Sequence, residues 1–179
     1  MDTGTDTHQN PMRNLKIEKV VLNIGVGQAG ERVEKAGKLL NLLTKRKPIK
    51  TISKKRIPTW NLRKGEAIGI MVTLRGKDAE EVLKKCLEAV DRKVKSTCFD
   101  GGNFSFGIKE YIDIPGMKYI MEIGNFGLNI NTKIERSGYS IMRRKIKRAD
   151  ISNDHRVKSE EAEKFIAGKF NVNVIKKEE

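Results

Sequence analysis

The residue types that most catalytic chemistry needs are scarce in this sequence. Its 179 residues contain two histidines, His8 and His155, both in polar surroundings. Surface positions are expected for both, and a histidine-based general base is poorly supplied. Cys86 and Cys98, with eleven residues between them, have no second Cys/His pair nearby, so they read as reduced thiols rather than as a zinc site or a disulfide framework. Aromatic residues make up 6%, which argues against a surface built mainly from base-stacking rings. No run approaches the roughly 18 consecutive apolar residues of a membrane span. The start, MDTGTDTHQN, is polar and acidic instead of a charged-then-apolar signal, so a cytoplasmic protein is expected. No nucleophile motif occurs. The late carboxylates Asp150, Asp154, Glu160, Glu161 and Glu163 fall at a helix start and in solvent, with no desolvated pair for acid–base work. No catalytic residue, metal or cofactor is expected.

Positive charge is plentiful. Thirty-seven Lys and Arg against 23 Asp and Glu leave a net charge of +14 and a pI near 9.8, which points to a polyanionic partner. The excess is concentrated in Lys45 to Lys64, KRKPIKTISKKRIPTWNLRK, with nine basic residues, one tryptophan and no acid. Nine cations without an intervening anion repel one another, and Trp60 is costly to expose unless it packs on the base of its loop or on a partner. Arg136 to Arg148 adds a second basic cluster, of no assigned form.

The periodicity predicts one core. Residues 1–14 carry none and read as an N-terminal arm or a short capping turn; residues 15–179 read as a single α+β domain. From Lys16, Val20, Leu22 and Ile24 point one way and Ile17, Lys19, Val21 and Asn23 the other, a strand with one face on a core. Glu31 to Lys45 places Val33, Ala36, Leu40 and Leu43 on one helical stripe. PIKTIS (48–53) and AIGIMVTLR (67–75) are strands flanking the basic excursion. Asp78, with Glu81 three residues on, is expected to cap a second helix whose apolar side runs from Ala79 to Val90 and Val94. After the Asp100-Gly101-Gly102 turn, Phe104, Phe106, Ile108 and Ile112 alternate with Asn103, Ser105 and Lys109, and later Phe126, Leu128, Ile130 and Ile134 alternate with polar residues. Ser159 is expected to cap a last helix. The order implies a mostly antiparallel sheet with helices packed on one face and the other face open. That open face would carry Lys19, Asn23, Thr73, Arg75, Asn129, Asn131 and Lys133, donors and cations with no acid among them, suited to ribose and phosphate.

Two motifs compete with this reading. Gly25-Val26-Gly27-Gln28-Ala29-Gly30 matches the dinucleotide-binding fingerprint and sits between a strand and a helix. Where the fingerprint wants an acid about twenty residues on, the chain reads PIKTISKKR, so an NADP-binding enzyme is the weaker alternative. GGNFSFGIKEY faintly resembles the aromatic strand of an RNA-recognition motif, but Phe104 and Phe106 share the apolar face with Ile108, which favours core packing.

Three collinear stretches, KIEKVVLNIGVG (16–27), KKRIPTWNLRKGEAIGIMVTLRG (54–76) and FDGGNFSFGIKEYIDIPGM (99–117), resemble the large-subunit ribosomal protein five family in its archaeal form, and the similarity runs from about Met12 to Val174. The resemblance implies a ribosomal protein of the central protuberance that binds 5S rRNA, touches large-subunit rRNA, approaches the P-site tRNA and meets a small-subunit protein across the intersubunit bridge, alongside neighbouring large-subunit proteins. On this chain it assigns to 5S rRNA the open face (Lys19, Asn23, Thr73, Arg75, Asn129, Asn131, Lys133) together with Arg46, Lys47 and Lys50 at the end of the first helix and in the next strand. It assigns to the tRNA elbow the loop 53–65, with Lys54, Lys55, Arg56, Trp60, Arg63 and Lys64; the cost of exposing its indole makes Trp60 the expected hinge or anchor of that loop. Pro115, Met117, Lys118 and Tyr119 fall where the family forms its bridge. Arg46 replaces a glutamine common in bacterial members, Arg136 to Asp154 aligns with nothing in them, and residues 1–11 precede the usual start. A generic RNA-binding module is the other alternative.

Overall fold

The computed structural model describes residues 10–28 and 30–175. Of the arm expected over 1–14, residues 1–9, His8 among them, lie outside the described part; Pro11–Arg13 form a single 3-10 turn capped by the Asn10 side chain, which accepts from the Met12 N–H at 3.0 Å.

The five expected strands become β1 (Leu15–Gly25), β2 (Ile49–Ile52), β3 (Ala67–Leu74), β6 (Asn103–Ile108) and β7 (Leu128–Arg136), and the pattern does not foresee the short β4 (Lys93–Lys95), β5 (Phe99–Asp100) and β8 (Asn173–Ile175); the helices are α1 (Glu31–Thr44), α2 (Lys77–Glu88), α4 (Ser159–Phe170) and the unforeseen α3 (Ser140–Arg143). Six strands form an antiparallel sheet in the order β2-β3-β1-β7-β6-β5, and β4 pairs in parallel with β8 in a separate ribbon. The fold is α+β with a mostly antiparallel sheet, as the pattern implies.

The core lies between one sheet face and the helices. Val20, Leu22 and Ile24 of β1, Ile70, Val72 and Leu74 of β3 and Ile130 and Ile134 of β7 meet Val33, Ala36, Leu39 and Leu40 of α1, Ala79, Leu83, Cys86 and Leu87 of α2, and Ala162 and Ile166 of α4. Each fully buried leucine contributes about 2 kcal/mol of apolar transfer free energy. Cys86 and Cys98 are both free. Burial, opposed weakly by Lys85, pushes the Cys86 thiol up to about 12, so it packs as a small neutral hydrophobe.

Several local expectations are corrected. A bulge at Glu18 shifts the β1–β7 register, so that Ile17 stands opposite Ile134 on the core side instead of beside Lys19; one extra residue reverses every side chain before it. Helix α2 starts at Lys77 behind Gly76 without a side-chain cap, and left-handed Asp91 and Arg92 (φ 53° and 55°) end its turn so that Val94 enters β4. Ser159 is the first residue of α4 rather than its cap: its hydroxyl accepts from Gly101 N–H at 3.0 Å, tying the helix to the β5–β6 turn. Leu39, not placed on the α1 stripe by the pattern, is fully buried. Ile112 sits exposed in a 3-10 turn outside the strands.

Candidate nucleic-acid interface

Among the described residues no helix covers the second sheet face except at one end, where Arg143 of the short α3 reaches Glu135, and strand pairing lays its side chains out in rows. Lys19 lies opposite Lys133, which lies opposite Asn103. The next row runs Thr73, Val21, Asn131 and Ser105, and the third Ile49, Met71, Asn23, Asn129 and Gly107. Residues directly opposite in an antiparallel ladder share a face, so Lys19, Asn23, Thr73, Asn129, Asn131 and Lys133 form one surface. Arg75 follows β3 directly and is exposed. A hollow of about 370 Å³ opens over Lys19, Val21, Ser105, Asn131 and Lys133. Towards the β2 edge the face turns apolar, with Ile49 62% exposed and Met71 half-buried. The sequence does not disclose this apolar margin, because neither residue type marks an RNA contact.

Among the described residues, two acids, Glu18 and Glu135, meet at one end of the face. Glu135 lies on the Lys133 side of β7, opposite Lys16, yet it is only 5% exposed. Arg143 of α3 bonds both its carboxylate and that of Glu18 at the bulge. Burial first, then the neighbouring Glu18, pushes the Glu135 carboxyl above its ordinary range, against the pull of Arg143, Lys16 and Lys133. The two glutamates are thus a largely desolvated pair that the sequence does not announce, brought together by the bulge and by a residue 125 positions from Glu18 in the chain. The guanidinium between them makes the pair structural.

Arg46, Lys47 and Lys50 do not join this surface in the same way. Lys50 stands opposite Ile70, a core-side residue, and its Nζ lies 3.9 Å from Glu34 of α1. Arg46 reaches Asp78 in the first turn of α2 at 2.5 Å. Both therefore emerge on the helix side, each beside an acid, while Lys47 is exposed in the α1–β2 turn.

The loop 53–65 is pinned at two places. Ser53, 6% exposed, donates through its hydroxyl to Lys55 O at 2.7 Å, while its N–H bonds Glu66 O and its carbonyl accepts from Gly65 N–H. Farther out, Ile57 and Leu62 pair through two backbone bonds around the Pro58–Trp60 turn, closed by left-handed Asn61. Leu62 is 5% exposed and Trp60 67%, so Leu62 anchors the loop and the indole stands in solvent. Lys54, Lys55, Arg56, Arg63 and Lys64 are exposed and make no ion pair among the described residues. Trp60 borders a concavity of about 830 Å³ with Gly27, Gln28 and Arg32.

That concavity includes the glycine turn, and the fingerprint fails there on geometry. The amides of Val26 and Gly27 both donate to Ile68 O at 3.0 Å, so they are not free to cradle a pyrophosphate, and β1 has only antiparallel neighbours in place of a parallel βαβ unit.

Between β6 and β7, Tyr111, Ile114, Ile123 and Phe126 form a buried knot in which the Tyr111 hydroxyl accepts from Ile120 N–H at 3.0 Å. Pro115, Lys118 and Tyr119 project from it and Met117 packs inward. Met121, 88% exposed, joins the projecting set. His155 is half-buried, its Nε2 2.8 Å from Ser137 O, and does not occupy the free surface position expected of it.

Comparison with known proteins gives concordant matches. Residues 10–63 match the family model described as Ribosomal protein L5, and residues 67–165 match the model of the same ribosomal family's C-terminus. Similar chains include the Large ribosomal subunit protein uL5 of Nanoarchaeum equitans, 48% identical over 93% of this chain and 99% of that one. The proteins of the same name from Sulfurisphaera tokodaii, 50% identical over 93% and 95%, and Nitrosopumilus maritimus, 42% over 95% and 99%, are similar over comparable spans.

Proposed function

Because the chain belongs to the ribosomal protein L5 family, we propose that its open sheet face binds 5S rRNA in the central protuberance of the large ribosomal subunit. The protein is a structural constituent of that subunit, residing in the cytoplasm on the ribosome, and its relatives are ribosomal proteins rather than enzymes. The observation that carries the 5S reading is the row structure of the face. Lys19, Lys133 and the amides of Asn23, Asn129 and Asn131 stand at fixed register beside one another, with Glu18 and Glu135 at one end held by Arg143. Cations and amides at fixed spacing suit backbone and irregular-loop contacts of RNA better than duplex reading.

The same proposal gives the exposed, unpaired cations of loop 53–65 to the P-site tRNA, and the projecting Pro115, Lys118 and Tyr119 to a small-subunit protein at the intersubunit bridge. Met117, packed inward, would support that knot from behind.

Filter binding to 5S rRNA across a salt series tests the face. With about six phosphates neutralised, log affinity falls against log salt with a slope magnitude of about 4 to 5. Asn23→Ala and Thr73→Ala each weaken binding by about 1 to 3 kcal/mol if a buried partner is left unsatisfied. Salt-independent binding, or unchanged affinity in both variants, overturns the assignment. A generic RNA-binding module would bind unrelated structured RNA as tightly as 5S rRNA.

A further inference from the structure

The segment after β7 contains a run of cations that neither the sheet face nor loop 53–65 absorbs. Arg144, Lys145, Lys147 and Arg148 are exposed and make no ion pair among the described residues; Asp150, two residues beyond, is exposed and pairs with none of them. Arg144 Nε donates to Lys147 O at 2.7 Å, and Ala149 N–H reaches back to Ile141 O at 3.5 Å. Left-handed Lys147 (φ 52°) turns the chain between these bonds. The run is therefore held as a shaped loop in which like charges stay close together, which is unfavourable for the isolated chain. Ile146, 76% exposed among them, offers an apolar surface at the same place.

The segment that carries this loop adjoins the sheet face on either side of it, through Tyr139 and Met142 before the loop and Ile151, Arg156 and Val157 after it. A cleft of about 400 Å³ runs between Asn103 and Lys133 on the sheet and Tyr139, Met142 and Arg156 on the segment. Asn103 and Lys133 also line the hollow over the face, so the two depressions share a wall and form one path. At the junction, Arg143 pairs with both Glu18 and Glu135, which leaves Asp100, exposed at the cleft rim and without an ion pair among the described residues, as the acid open to a passing phosphate chain.

We propose that residues 144–148 are a second phosphate-contacting surface, carrying the path of the bound RNA from the sheet face past Lys133 onto the 136–157 segment. This rests on the 5S rRNA reading for the identity of the RNA and on the charge and shape of the loop for the contact.

The test uses the full chain with Lys145→Gln, Lys147→Asn and Arg148→Gln combined. Asn tolerates the left-handed backbone at 147, and Arg144 is kept for its bond to Lys147 O. Against 5S rRNA the slope of log affinity on log salt is expected to fall in magnitude by about 2 to 3, close to one unit per lost phosphate contact. Hydroxyl-radical footprinting should lose one protected stretch while the stretch lost in Asn23→Ala stays protected. Lys145→Gln alone, a single exposed side chain without a partner, should lower the slope by about 1 and guards against misfolding of the triple variant. An unchanged slope in both variants, with the wild-type preference for 5S rRNA intact, overturns the proposal. If the wild type shows no such preference the 5S reading fails instead, and the same slope comparison on unrelated structured RNA still decides whether the loop contacts phosphate.

Discussion

Lys45 to Lys64 and Arg136 to Arg148 look alike as strings of basic residues, and the structure employs them differently. In the first, the five cations of the projecting loop have no acid partner among the described residues, and the loop is held by the Ser53 bonds, the Ile57–Leu62 bridge and buried Leu62. In the second, the arginines at the start are consumed internally. Arg136, with a side chain 12% exposed, bonds Glu161 of α4 at 2.8 Å and Asp154 O at 3.1 Å; Arg143 bonds Glu18 and Glu135. Only from residue 144 onward does the second stretch resemble the projecting loop of the first, whose own start pairs Arg46 with Asp78 and Lys50 with Glu34 at exposed positions. A basic run is thus not one kind of object: cations opposite desolvated carboxylates build the fold, and cations without partners await a ligand.

The comparison breaks most visibly at Arg143. The side chains of Glu18 and Glu135 are 10% and 7% exposed, so Arg143→Ala leaves two adjacent, nearly buried carboxylates without the guanidinium that bonds both, with Lys16 and Lys133 as the remaining nearby cations. A loss of about 3 kcal/mol is expected, since removing one member of a buried ion pair strands the other charge; the midpoint of urea unfolding measures it. Glu135 binds its proton more readily folded than unfolded. Its contribution to stability is therefore present at pH below its unfolded range and lost as pH rises through the raised folded value. Removing Arg143, which opposes that rise, enlarges the effect, so the deficit of the variant against wild type should shrink as pH is lowered from neutral through the range where Glu135 takes up its proton. A pH-independent deficit would mean that the guanidinium acts by packing alone.

A smaller loss, about 2 kcal/mol, is expected for Arg136→Ala, because Glu161 is 40% exposed and regains water when its partner leaves. The α4 end should loosen first, since Arg136 joins β7 to that helix, and amide exchange in residues 159–170 reports it. Exchange unchanged there, with stability within about 0.5 kcal/mol of wild type, would erase the distinction between the two basic stretches.

The parts of this arrangement visible in the sequence are those governed by period. Alternation at Val20, Leu22 and Ile24 and at Ile130 and Ile134 sorts the two sheet faces correctly, because a half-buried strand leaves its burial pattern in hydrophobicity. The same alternation misplaces Ile17, because a bulge adds a residue without any change in composition. The family resemblance assigns Lys50 to the same RNA as the open face, and pairing with Ile70 turns it to the other side of the sheet. The Glu18–Arg143–Glu135 cluster joins three separated points of the chain, and nothing local in any of them announces the others. The cost of exposing an indole leaves Trp60 two places, the base of its loop or a partner; Leu62, two residues later, takes the first. RNA binding as a class follows from charge, the face from alternation, and the ribosomal setting from family resemblance.

The smallest effect on the fold, and the sharpest contrast with Arg143, is expected from Lys54→Gln, Lys55→Gln and Arg56→Gln together. None of the three makes an ion pair among the described residues, and the bond from the Ser53 hydroxyl to Lys55 uses a carbonyl that the substitution keeps. Stability should change by less than about 0.5 kcal/mol, and 5S rRNA affinity should stay near the wild-type value, because the loop joins the Ile52 end of β2 to the Ala67 end of β3, whereas Thr73 stands near the opposite end of β3 and Asn23 on β1. Retention of P-site tRNA on assembled ribosomes should weaken, measured as the rate at which labelled tRNA is lost. If 5S rRNA binding and tRNA retention fall together, the loop is part of the rRNA site and the division of this basic stretch at Ser53 is wrong. If stability falls as far as in Arg143→Ala, then the loop's charges are as structural as those of the second stretch.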